Sequence, residues 1–121
     1  MTNFTNHELE VLRPFGPTIA KVKMPQDLID KLNEYTETVL SDQKKQDELN
    51  YGNKLAGNVK QEFVIEKNFA EKSGWGKFLA EGVREWVFKT NNKKITQFNI
   101  INSWIVRQFE NEYNPSHWHS G

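Results

Sequence analysis

The chain has 121 residues, 16 Lys and Arg against 16 Asp and Glu, and no cysteine. That length suits one domain of ordinary size, the balanced charge excludes a broadly basic nucleic-acid binder, and the missing thiols exclude disulfides, thiolate metal sites and a cysteine nucleophile. Four Trp, three Tyr and eight Phe argue for a folded chain rather than a disordered one.

Residues 1–10 are polar and read as a loose tail, with no basic stretch leading into an apolar run as a secretory signal requires. No segment reaches the roughly 20 apolar residues of a membrane helix. The expected location is therefore the cytoplasm, with no membrane partner. From residue 11 onward a single domain is expected. Pro14-Phe15-Gly16-Pro17 reads as a turn, because two prolines and a glycine fix its backbone angles. A short strand is expected next, over Thr18–Met24.

Pro25 suits a helix's first turn, and Leu28, Ile29, Leu32, Tyr35, Val39 and Leu40 recur at helical spacing, which predicts an amphipathic helix over 25–41. The polar stretch 42–58, with Gly52 and Gly57, reads as a long loop, either a solvated connection or a cover over a site. Val59–Ile65 should be a strand. Trp75, Phe78, Leu79, Val83, Trp86 and Val87 share one side of a predicted helix over 74–90, where core packing explains the tryptophans. From Lys94 to Phe109 both alternating faces are half apolar and half polar, which predicts one long strand inside a sheet. Asn102 and Ser103 interrupt its apolar run, so either would face a polar cavity if buried.

The chemistry-bearing segment is Tyr113-Asn114-Pro115-Ser116-His117-Trp118-His119-Ser120-Gly121. In an extended chain, alternate side chains share a face, which sets His117 and His119 roughly 6.6 Å apart at Cα. Two neutral imidazoles at that spacing can converge on one metal ion, and zinc, iron and copper all accept them. A solvated histidine pair is the plainer alternative. Short, separated Lys44-Lys45 and Lys93-Lys94 pairs look like solvated faces, and no base-reading motif or nucleophile elbow is present.

Asn102-Ser103-Trp104-Ile105-Val106, the histidine segment, and Leu55-Ala56-Gly57-Asn58-Val59-Lys60-Gln61-Glu62-Phe63 resemble the 2-oxoglutarate–iron(II) oxygenase family of marine bacteria and their phages. The likeness runs from about residue 12 to the end, and the histidine segment is its most specific part. The resemblance implies an α+β fold. It would be the N-terminal portion of a double-stranded β-helix (jelly roll), with two amphipathic helices packed on a partial antiparallel sheet. It implies iron(II) as metal and 2-oxoglutarate as cosubstrate, with His117 and His119 as metal ligands. Asn102, Gln108 and Tyr113 are candidates for the cosubstrate pocket, with a structural polar role as the plainer alternative for each.

His119 stands where the wider superfamily has a carboxylate, although the close family also tends to have His-x-His. The family continues after this motif with strands bearing a distal histidine and an arginine that anchors 2-oxoglutarate. The 121-residue chain is thus expected to hold an incomplete site with little or no turnover. The free edge of its last strand would invite a second copy to pair. Two other readings stay open: a small non-catalytic α+β binding or assembly protein, and a cupin-like metal-binding protein. The substrate is not legible.

Overall fold

The turn at Pro14–Pro17 sets the first element pair. In a computed structural model that describes residues 7–52 and 55–118, Gly16 takes a positive φ of 111° and Arg13 Nε donates to its carbonyl. That reversal pairs strand β1 (Glu10–Leu12) antiparallel with β2 (Ile19–Lys21), in the register Val11 to Ala20. The expected strand at 18–24 is thus present but only three residues long. Leu9, placed in the polar tail by the sequence, is buried.

Helix α1 (Gln26–Leu40) falls where the apolar stripe predicts it. The Pro25 carbonyl accepts from the Leu28 and Ile29 amides, at 3.1 Å each, so proline closes the helix without needing an N–H of its own. The stretch 42–58 is not wholly a loop. Asp42 caps a short helix α2 (Gln43–Leu49), its carboxylate accepting from the Lys44 and Lys45 amides at 3.0 and 3.4 Å. With no buried residue, α2 lacks the apolar stripe by which helices are usually read.

Strand β3 (Gln61–Val64) matches expectation. Helix α3 (Lys67–Ser73), which the sequence pattern did not suggest, leads into α4 (Trp75–Asn91) through Gly74 at φ 89°. Asn92 ends α4 in the left-handed region, its N–H donating to the Phe88 carbonyl.

The largest departure is the last strand. Residues 94–103 carry no regular structure, and β4 covers only Trp104–Arg107, antiparallel to β3 with Phe63 opposite Ile105. Alternation alone cannot make a strand, since an extended segment needs a neighbour for its backbone groups. Here the paired length is set by the four residues of β3.

The fold is mixed α+β, with four helices and two two-stranded antiparallel sheets in the described residues. It divides into two compact units. One comprises the described residues up to Leu32 together with Lys67–Ile100, and the other Asn33–Glu66 with the residues from Ile101 on. The first unit packs α4 against α3 and β1, burying Leu9, Leu28 and Ala70. The second buries Tyr35, Val39, Phe63 and Ile65. Its Tyr35 hydroxyl donates to the Val64 carbonyl at 2.8 Å and accepts from the Glu66 amide at 3.1 Å, tying the end of β3 down. Burial, with the Glu66 carboxylate nearby, raises the Tyr35 phenol above its ordinary value. No helix among the described residues is long and apolar enough to cross a membrane.

Candidate metal-binding segment

The histidine segment is positioned by the β3–β4 ladder and by the turn after β4. Past Arg107 the chain reverses, with Asn111 at φ 68° and the Glu112 amide donating to the Phe109 carbonyl at 3.1 Å. Glu112 fixes this turn with its side chain. One carboxylate oxygen accepts from the Phe109 amide at 2.8 Å and the other from the Lys60 amide at 2.9 Å. These two N–H donors, Phe109 first, hold its carboxyl below the usual range.

Beyond the turn, Tyr113 and Asn58 exchange backbone hydrogen bonds, Asn58 N–H to Tyr113 O at 2.8 Å and Tyr113 N–H to Asn58 O at 3.2 Å. Gly57 makes this approach possible. It sits at φ 110°, and a Cβ there would lie 2.6 Å from the Tyr113 carbonyl oxygen and 3.1 Å from Pro115 Cδ. The segment's start is therefore fastened at two points, Lys60 and Asn58, by the chain entering β3.

Within the segment, His117 is exposed and its Nδ1 lies 2.9 Å from the Pro115 carbonyl oxygen. A carbonyl accepts only, so this contact selects the tautomer with the proton on Nδ1 and the lone pair on Nε2. Metal-ligating histidines are commonly oriented by such a contact. His119 lies outside the described residues.

The three expected cosubstrate residues fall in different roles. Gln108 Nε2 donates to the Glu112 carbonyl at 3.0 Å, so its amide helps build the turn. Tyr113 serves the Asn58 bridge through its backbone and leaves its ring exposed. Asn102 is exposed in the irregular stretch before β4, whereas the carbonyl of its neighbour Ser103 accepts from the Ile65 amide at 2.9 Å. Among the described residues, no three His, Cys, Asp or Glu side chains gather as a metal-holding group. His7 belongs to the other unit, where its ring meets Phe78 edge-on at 5.5 Å.

Glu62, to which the sequence pattern assigns no role, is the second carboxylate of this region. It is only 2 % exposed, and its Oε1 has no hydrogen-bond partner among the described residues. The Tyr51 amide donates to the Glu62 carbonyl at 2.8 Å, and Gly52 comes so close that a Cβ there would sit 2.9 Å from Glu62 Oε2. Burial, and secondarily the Glu112 charge, push its carboxyl above the usual range. Two neighbouring carboxyls are thus driven in opposite directions, one by desolvation and one by backbone donors. Glu62 and Phe63 point to opposite faces of β3 and both are buried, whereas simple alternation would expose one of them, so the sequence carried no signal for Glu62. No family model, curated protein or solved structure matches this chain, so the segment's geometry and the motif itself bear the weight of any functional reading.

Proposed function

We propose that the chain contributes the histidine segment of a cytoplasmic iron(II)- and 2-oxoglutarate-dependent dioxygenase of jelly-roll type, acting on a substrate that the sequence leaves undefined. The observation that carries this reading is the Pro115 carbonyl against His117 Nδ1, an orienting contact common among metal-bound histidines, in a motif whose second histidine lies two residues on. His117 and His119 would hold iron, and the bound iron would supply oxidation of a C–H bond at the expense of oxygen and 2-oxoglutarate. The chain's own groups would orient the site. Pro115 sets the imidazole tautomer, and Glu112 with Gly57 fixes the segment to β3. Tyr113 is the best placed of the three cosubstrate candidates, because its exposed side chain is not consumed in the turn as the Gln108 amide is.

A cobalt(II) or iron(II) titration under anaerobic conditions, with and without 2-oxoglutarate, tests this reading. Metal-dependent binding of 2-oxoglutarate supports it, while turnover by the 121-residue chain should be slight, since the described residues gather no third ligand. Absence of 2-oxoglutarate binding in metal-loaded protein overturns it, and leaves a cupin-like metal binder as the remaining metal reading. The non-catalytic binding or assembly alternative draws on a different observation: among the described residues β4 pairs only with β3, and Val106 and Phe109 are exposed, so a second copy has an edge to extend.

A further inference from the structure

Strand β4 has one edge in use and one free. The Ile65 amide donates to the Ser103 carbonyl at 2.9 Å and Phe63 lies opposite Ile105, so the backbone groups of Ser103, Ile105 and Arg107 face β3. The same alternation holds on β3, where the Glu62 carbonyl points away from β4 and accepts from the Tyr51 amide at 2.8 Å. Trp104 and Val106 therefore aim their N–H and C=O groups away from β3, and among the described residues nothing bonds to them there. Val106 is 41 % exposed, so this edge is open to a further strand.

The sequence of the edge selects its occupant. Ile101-Asn102-Ser103-Trp104-Ile105-Val106-Arg107-Gln108-Phe109 has the same pattern of apolar and polar residues read in either direction from Ile105. An antiparallel copy of this segment, with Ile105 on a two-fold axis, sets Trp104 opposite Val106, Ser103 opposite Arg107 and Asn102 opposite Gln108. It also brings Ile101, which is 98 % exposed, against Phe109, which is 55 % exposed. Trp104 and Val106 then exchange both of their outward N–H and C=O groups. A slip of one residue would set outward groups against inward ones, and a slip of two would set Ile105 against Arg107 or Ser103. No like charges meet, because Arg107, already paired with Glu37 at 2.7 Å, faces Ser103 and the chain's formal net charge is zero.

We propose that two copies of the chain join through β4 about a two-fold axis at Ile105, giving a continuous sheet in the order β3–β4–β4–β3. The dimer needs no metal, so its failure and that of the histidine reading are separable. Nine residues a side is fewer than the roughly 20–30 of a stable interface, so the dimer forms only at high concentration. Sedimentation equilibrium of the chelator-treated chain, over about 10 µM to 1 mM, should show a reversible monomer–dimer equilibrium. Val106→Pro removes an outward N–H and leaves the β3–β4 bonds in place, so association should fall about tenfold or more with the circular dichroism unchanged. Single cysteines then test the register, in a chain that has no thiol of its own. Ile105 opposes itself across the axis at about 4.5 Å between Cα atoms, within disulfide reach, whereas Val106 opposes Trp104. Ile105→Cys should therefore oxidise to a cross-linked dimer about tenfold faster than Val106→Cys, although Val106 is the more exposed of the two. That comparison keeps the test open if Val106→Pro fails to fold. A monomer at every concentration, which would leave the edge to a strand of another chain, overturns the proposal. So does association unchanged in Val106→Pro, or equal cross-linking of the two cysteine variants.

Discussion

Replacing Gly57 with alanine should loosen the histidine segment at its root. The residue sits at φ 110°, a conformation that costs an L-residue about 1–2 kcal/mol. The added Cβ would also stand 2.6 Å from the Tyr113 carbonyl oxygen and 3.0 Å from Asn114 Oδ1, so the two stretches of chain must separate. Separation breaks the paired Asn58–Tyr113 hydrogen bonds, each contributing about 0.5–1.5 kcal/mol. Alanine's stiffer unfolded chain returns about 0.4–1 kcal/mol. The net expectation is a loss of about 2–4 kcal/mol. Gly16 provides the control, because it has nearly the same φ, 111°, and nothing within 4 Å of an added Cβ. Gly16→Ala should therefore show the backbone effect alone, about 1 kcal/mol after the unfolded-state correction. Urea unfolding at 25 °C followed by circular dichroism gives both values, and hydrogen exchange at Asn58 and Tyr113 reports the bridge directly. A Gly57→Ala protein within about 0.5 kcal/mol of Gly16→Ala, with both amides still protected, would refute the close approach.

Tyr35→Phe should destabilise by about 1–3 kcal/mol, since it removes the acceptor of the Glu66 amide and the donor to Val64 together; thermal or urea unfolding measures it. Glu62→Gln should stabilise the protein at pH 7 by about 1 kcal/mol, because an ionised carboxylate no longer has to be buried. The pH dependence fixes the sign. Native Glu62 keeps its proton to higher pH than the unfolded chain, whose glutamates ionise near about 4.3. Its contribution to stability therefore falls as pH rises above that value, and the advantage of Gln should vanish as pH drops toward 4. Glu112 runs the other way: its lowered carboxyl contributes stability above the unfolded value, which is lost as pH falls through the native one. Glu112→Gln should accordingly flatten the acid limb of a stability–pH curve, and an unaltered limb would count against the two backbone contacts.

Helices α1 and α4 were legible because a single apolar stripe dictates each, and β3 because Phe63, Val64 and Ile65 form a short run of β-formers. Helix α2 is hidden because all seven residues, Gln43 to Leu49, leave no apolar face to read, although Asp42 was a recognisable cap. The long strand over 94–109 failed for a different reason. Its alternation was real, but Ile101 is 98 % exposed and only Trp104–Arg107 finds a partner, so tertiary pairing decided where the strand begins. The histidine motif could be named from sequence alone. Its supports could not, since Glu112 reaches Lys60 across 52 residues and Gly57 meets Tyr113 across a comparable span. Asn102 stands out in the sequence as a polar interruption of a strand, and Gln108 as a polar residue shortly before the histidine segment. The fold places the first before β4 and uses the second in a turn.

The central claim is that the His117–His119 segment holds a divalent metal. Thermal unfolding with cobalt(II) as a redox-stable stand-in for iron(II), on wild type, His117→Ala and His119→Ala, tests it most directly. A metal bound only to the native state at a hundredfold excess over Kd adds about 2.7 kcal/mol, which raises Tm by several degrees for a chain of this size. Wild type should show that rise and both variants should lose it, with unliganded stability unchanged in His117→Ala because His117 is exposed. The same metal response in all three proteins, or none in wild type, would contradict the claim.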